Sequence, residues 1–522
     1  MLTNKKTLLA LSVVSALTLT ACGSDNDDNV VVTPPTPPVV VVPETPAALS
    51  FTVSGNVVNS TSGAPIEVTK LTFLEGDVAS TDIVDINGKA ITELATTDGS
   101  YTFTLKDGAD VTTLTVLVSA EGYISKSFAL DLTDKSVSVA ADLSLVSATS
   151  GNGVVAATEK AAVSAGQVAT EVAVTATQAG ANTNVTVPAG TTLQDENGNA
   201  VSGTEVSLNV ATAATTASAT TAGIGDIIPA GLNSGTSTSV RQPLAAANIE
   251  MLDNAGNKIK KFSSPITLTL SVPESAGVTT GDTLKVSSYD EDKAKWTLDE
   301  FTATVGAFDA ASKTYAASFQ TSHLTLFTST KEEPACTSGI NFNVTGANAS
   351  ELVFHVFSSD GYVIRNATGA AVSSSSRNNL KADATARVLA FDAASLNVVF
   401  DSQTEVPVCG TVDVAVTAAP VTTVNENFAV TAVCSNDTTK TTALSGAIVK
   451  YRLPNRGFEQ ASEPTAGTYA LTGLVEGSSY QVRVVPRGLG AGVGATDFTI
   501  TANGTDESGS INIACNTTTG GN

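Results

Sequence analysis

Two histidines occur in 522 residues, His323 and His355. Acyl transfer at a serine or cysteine needs a base within hydrogen-bond reach, most often a histidine. His323 lies in Thr321-Ser-His-Leu-Thr-Leu-Phe327 and His355 in Leu352-Val-Phe-His-Val-Phe357. Both runs alternate, so each reads as a histidine of a strand rather than a base in a cleft. The sequence holds no Gly-x-Ser-x-Gly and no His-Glu-x-x-His. The glycine run from Gly488 to Gly494 lacks the spacing and the strand-to-helix setting of a phosphate loop, and reads as a hairpin loop. Carboxylates are plentiful. Asp82, Asp85, Asp98, Asp195, Glu196 and the run Asp290-Glu291-Asp292 offer oxygen atoms to an incidental calcium, though none has the spacing of an EF-hand. The competing use of such residues is in turns, where Asp and Asn bond their own backbone. A carboxylate-pair glycosidase would stack sugars on aromatics, yet these make up 5% of the chain and Trp296, the single tryptophan, reads as a core residue. The reading is of a chain without catalytic residues and without a required cofactor.

The cysteines are more specific. There are five, Cys22, Cys336, Cys409, Cys434 and Cys515. Setting Cys22 aside leaves an even number, the pattern of an oxidising compartment. Four cysteines allow three pairings. Cys336–Cys409 and Cys434–Cys515 are favoured, because each pair then brackets one strand-rich segment and joins its first strand to its last. A metal site is a poor reading, since no Cys-x-x-Cys is present.

Cys22 follows a segment with a function of its own. Lys5 and Lys6 precede an apolar stretch, Thr7 to Leu19, that is shorter than the ~20 residues needed to span a bilayer. It ends in Leu19-Thr20-Ala21-Cys22-Gly23, and the polar run Ser24 to Asn29 follows at once. This resembles the lipobox of bacterial lipoproteins. The resemblance implies that 1–21 is a signal peptide, that the Cys22 thiol takes a diacylglyceryl group, and that cleavage leaves Cys22 first. Two or more acyl chains, palmitate among them, anchor a protein stably where one does so only marginally. Glycine after the cysteine, rather than the aspartate that in Gram-negative lipoproteins signals inner-membrane retention, implies the outer membrane, with the periplasmic or surface-exposed side left open. Residues 22–49, rich in proline, read as a disordered, extended tether of roughly 3 Å per residue.

Composition sets the rest. Ala, Val, Thr, Ser and Gly dominate, and only 15% of residues are charged, a mix suited to strands and turns. The net charge of −23 and the lack of a basic patch argue against nucleic acid as a partner. Four units are expected after the tether: 50–146, 147–332, 333–420 and 421–522. The first resembles the carboxypeptidase regulatory-like family. The resembling residues are Ser54-Gly-Asn-Val57, Gly63-Ala-Pro-Ile66, Thr97-Asp-Gly-Ser-Tyr101 and Ala120-Glu-Gly-Tyr123. That resemblance implies a transthyretin-like β-sandwich without catalysis. The sequence departs from the family in an insertion, about 75–94, with its own turn Asp85-Ile-Asn-Gly-Lys89. In the second unit Asp195-Glu-Asn-Gly-Asn199 and Asp253-Asn-Ala-Gly-Asn257 each adjoin an alternating strand, which predicts two related hairpins. Between them 211–240, rich in Ala, Thr, Ser and Gly, reads as a long exposed loop. The segment 156–170 suits a helix or a strand. The end of this unit is loosely similar to ZU5-like domains. The last two units read as disulfide-bracketed β-domains, the final one transthyretin- or fibronectin-III-like; Ig-like sandwiches belong to the same class.

The whole sequence therefore predicts an all-β row of sandwich modules on a membrane, held by acyl chains on Cys22. The expected role is protein interaction, adhesion or envelope scaffolding with a protein or glycan partner. The alternative is a carbohydrate-binding module of a glycan-handling system, which would require an exposed aromatic row.

Overall fold

The computed structural model describes residues 39–76, 78–178, 180–234, 238–372, 380–417, 421–489 and 493–518. Lys5, Lys6, Cys22 and most of the proline-rich segment lie outside the described residues, as does the middle of the 488–494 glycine run. The protein is all-β and multi-domain, with short helical turns only. Among the described residues no helix is long and apolar enough to cross a membrane.

The first module packs a five-stranded sheet on a six-stranded one. Thr113–Ser119 shows why: Leu114, Val116 and Val118 are buried and alternate with less buried residues, as period-2 geometry requires. Phe73 and Phe103, from opposite sheets, meet with ring centroids 4.6 Å apart at the centre of the core. The insertion adds two short strands, Val78–Ala79 and Ile83–Val84, one to each sheet.

The second module is one large sheet running from Val154–Ser164 to Leu326–Pro334. It includes 156–164, which is strand rather than helix. The sheet curls until its far members, Val154–Ser164 and Val172–Gln178, lie side by side around a single apolar cluster. Its related turns share their chemistry. Asp195 Oδ1 accepts the N–H of Asn199 at 2.8 Å, and Asp253 Oδ1 accepts that of Asn257 at 2.8 Å. Asp85 in the first module does the same to Lys89 at 2.9 Å. The side chain thus replaces a missing ladder partner, and glycine takes the left-handed position at Gly88, Gly198 and Gly256.

The third and fourth modules repeat one device. In each, the first strand pairs in parallel with one near the module's end: Ile340–Thr345 with Gly410–Ala415, and Thr423–Cys434 with Glu507–Ile513. Parallel neighbours far apart in sequence bring Cys336 beside Cys409 and Cys434 beside Cys515, and both disulfides are formed, with Cα atoms 5.6 and 5.4 Å apart.

Two expectations are corrected. The tether does not stay free up to residue 49. Val39–Val41 pairs antiparallel with Asn516–Thr518, and the carbonyl of Ala47 accepts a bond from Arg487 of the fourth module at 3.2 Å. Valines and an unpaired strand edge outweigh the extended preference of the prolines around them. Nor are the modules simply in a row, because the fourth returns to pack on the first.

Each disulfide closes a loop of more than 70 residues. Reduction is expected to cost each of the last two modules about 4 kcal/mol in the chain-entropy model. Chemical denaturation with and without reductant, read separately for the Cys336→Ala/Cys409→Ala and Cys434→Ala/Cys515→Ala chains, checks this. Equal midpoints in all cases would contradict it.

Candidate functional site

In the segment 211–240, expected as an exposed loop, residues 214–234 are instead a wedge between three modules. Its Ala and Ile residues explain the difference. Ala222, Ile224, Ile227, Ile228 and Leu232 are buried with Ile124 and Val146 of the first module and Tyr289 and Leu326 of the second. Ala217 is buried against Phe357 and Leu389 of the third. Its richness in Ala, Thr, Ser and Gly marked this segment as a loop, and its few Ile and Leu residues were diluted among them.

The wedge carries one short helix, Ile224–Ile227, and Asp226 within it is almost fully buried. Its partner is Arg365 of the third module, also buried. Arg365 Nε donates to Asp226 Oδ1 at 2.6 Å and Nη2 donates to Oδ2 at 2.9 Å. The other Nη2 proton is shared between the carbonyls of Thr221 and Ser218 at 3.0 and 3.1 Å, and Nη1 donates to the Ala219 carbonyl at 3.5 Å. The Gly223 N–H donates to Asp226 Oδ2 at 2.9 Å. The guanidinium also lies 4.9 Å from the centre of the Phe357 ring. From the other side Lys126 of the first module donates to the Asp226 carbonyl at 2.6 Å. Gly225 permits the close approach of the third module, since a Cβ there would sit 2.4 Å from the Gly361 carbonyl oxygen. One helical turn thus ties three modules, and neither Asp226 nor Arg365 had a motif to announce it.

His355 borders this joint. Its Nε2 faces Asn366 Oδ1 at 3.1 Å, and its ring packs on Phe391 at 4.6 Å. Burial lowers its pKa to about 4, Arg365 adds to the lowering, and the Asn366 bond and Asp226 oppose it. A ring with its pKa lowered in this way is neutral at pH 7 and only weakly basic. His323 ends its strand bonded to Thr321 and stacked near Phe301 and Phe327. The two histidines thus sit in separate modules, against separate aromatic groups.

A cleft of about 490 Å³ lies beside the wedge, between Thr216–Thr220 and the third module's Phe357, Leu389, Arg387 and Glu405. Both charges in its wall are engaged. Arg387 forks onto Asp401, and Glu405 accepts from the Ser359 N–H at 2.6 Å and the Thr385 hydroxyl at 2.8 Å.

The second joint closes the chain. The Asn56 side chain of the first module acts as a strand partner for Phe458 of the fourth, donating to its carbonyl at 3.1 Å and accepting its N–H at 2.8 Å. Arg483 pairs with Asp98 across the joint and with Asp497 in its own module at 2.7 Å. Phe458 lies between the guanidinium groups of Arg452 and Arg483, at 4.1 and 4.9 Å. Lys450 is buried under the first module, 3.3 Å from the Tyr101 carbonyl and 3.4 Å from the Ser100 hydroxyl. Burial lowers its pKa to about 8; Asp98 opposes the shift and Arg483 reinforces it.

The other carboxylates singled out by sequence are spent in structure. Asp85 and Asp195 cap turns, Asp98 holds Arg483, and Asp82 sits at a turn whose carbonyl accepts from Lys106. Glu196 and Asp290 both bind Lys293, and Glu291 and Asp292 both bind Lys260. Among the described residues no group of three or more His, Cys, Asp or Glu side chains forms a metal nest. Trp296 donates to the Ala230 carbonyl at 3.1 Å and packs on Tyr289, at the joint of the first two modules.

No protein-family model and no curated protein matches the chain. Solved structures that match include a streptococcal ancillary pilin, 16% identical over 45% of this chain and 93% of that one, with a TM-score of 0.16. BcpA, the major pilin subunit of Bacillus cereus, is 10% identical over 89% and 99%, with a TM-score of 0.14. The open conformation of the pilus adhesin SpaC from Lactobacillus rhamnosus GG is 12% identical over 69% and 54%, with a TM-score of 0.16. Scores this low carry no argument about arrangement or role.

Breaking the buried pair strands a charge. Arg365→Ala is expected to cost about 3–5 kcal/mol, and the double change Asp226→Leu/Arg365→Met to recover most of it. Chemical denaturation, with hydrogen exchange across 214–234, reads both. The two buried bases give opposite pH windows. The native chain prefers neutral His355, so stability is full above about pH 6.5 and falls as pH drops from there through about 4. It also prefers neutral Lys450, so stability rises as pH climbs from about 8 toward about 10.5. His355→Gln should flatten the acid limb and Lys450→Met the alkaline one, each leaving the other unchanged.

Proposed function

We propose that this chain is a non-enzymatic, membrane-anchored surface protein whose joined β-modules form a stiff scaffold for protein interaction or adhesion. The observation that carries the reading is the fate of its polar chemistry. Buried Asp226, Arg365 and Lys450, with Asn56, Asp98 and Arg483, serve the joints between modules, and His355 is held neutral at the edge of one. A chain that commits these groups to fixing module against module has stiffness as its product. Trp296 is half-buried at a joint, with its N–H bonded to the Ala230 carbonyl and its ring packed on Tyr289, which does not favour the carbohydrate-binding alternative.

Anchoring would act through acyl chains on Cys22, at the outer membrane. The first and fourth modules then lie nearest the anchor, because the chain enters the fold at Val39–Val41 beside Asn516–Thr518. The exposed faces of the joined modules would then be available to a protein partner on the surface or in the periplasm. No cofactor is needed for such a role.

Expression of the full chain and of Cys22→Ala in a Gram-negative host, followed by membrane fractionation and protease treatment of intact cells, tests the reading. Wild type should partition with the outer membrane and carry lipid, and the variant should remain unprocessed or soluble. Identical soluble fractions for both would end the anchoring proposal.

A further inference from the structure

The strand Val39–Val41 is three residues long, lies at the surface, and pairs with a segment more than 470 positions away. Val39 and Val41 are 52% and 45% exposed, so burial contributes little to holding the strand there. Its surroundings are polar and directional. The Thr45 hydroxyl reaches the Ala443 carbonyl at 3.5 Å, the Ala47 carbonyl accepts from Arg487, and Gly446 lets the backbone of Pro46 and Ala47 come close enough that a Cβ would meet the Pro46 oxygen at 2.4 Å. Residues 39–49 thus form a strap laid across the fourth module before the chain enters the first.

The register decides what the strap does under tension. Val39 faces Thr518, Val40 faces Thr517 and Val41 faces Asn516. The partner strand is tied to the fold at its Asn516 end, through Cys515 and its disulfide to Cys434. A pull from the amino-terminal side enters the strap at its Val39 end. Force therefore enters at one end of the ribbon and is resisted at the other. That is shear, in which all three register pairs are loaded together, instead of peeling, in which they are loaded one by one.

We infer that the strap is a tension coupling: it passes a pull from the amino-terminal side straight into the disulfide-braced fourth module, so that the first module does not bear it alone. The inference rests on the anchoring reading for its biological use, but not for its mechanics.

Single-molecule pulling on the full chain, with handles at Asn29 and Leu396, tests it without any lipid. The wild-type trace should open with one event releasing roughly 35–40 Å of chain, the length of the strap, before any module unfolds. Val40→Pro removes a backbone donor at the central pair, and its trace should lack that event. A Val39→Cys/Thr518→Cys disulfide should suppress the event in oxidant and restore it in reductant. Equal first events in wild type and Val40→Pro, or a wild-type trace that begins with module unfolding, would overturn the inference. Because no membrane is involved, neither result depends on the Cys22 fractionation, and the two readings fail separately.

Discussion

The structure depends on burying a charge where three modules meet. An aspartate in a low-dielectric joint is costly unless its partner and its remaining lone pairs are supplied. Arg365 supplies the first, while the Gly223 amide and the helical turn supply the rest. Such a pair is weak as a source of net stability but strict in geometry, because only one placement of the third module satisfies every donor. The apolar residues of the wedge provide the area, and the ion pair fixes the angle. This division explains why a segment poor in charge holds one charge that cannot be moved.

The closing joint uses a different solution. Asn56 and Phe458 exchange two hydrogen bonds much as neighbours in a ladder do, which satisfies buried amide groups without a continuous strand between modules. Lys450 is the opposite case, a buried base with long contacts and a lowered pKa. It is tolerated because Tyr101 and Ser100 present oxygen atoms to it, and it makes that joint responsive to alkali where the wedge responds to acid.

Much of this fold was legible in the sequence. Composition announced strands and turns, the bracketed cysteines announced their pairing, and the Asp-to-Asn spacing announced the related turns. The wedge was misread because its apolar residues are thinly spread, and a composition rule sees their average rather than their partners. Asp226 and Arg365 stand 139 positions apart. Nothing in either neighbourhood marks the pair, since complementarity between modules has no period. The strap was misread for a related reason: proline content forecasts extension correctly but says nothing about what an extended segment will lie against.

The Asn56–Phe458 contact joins positions 402 residues apart. Loop-closure entropy on that scale delays such a contact until the intervening modules have ordered themselves. In a chain synthesised from the amino terminus, the first module is complete before the fourth exists. Until then the Tyr101 carbonyl, the Ser100 hydroxyl and the Asn56 amide lack their fourth-module partners. Closure is therefore the last step of maturation, and an assembly factor or a chaperone that recognised these groups would distinguish nascent from finished copies by that feature alone.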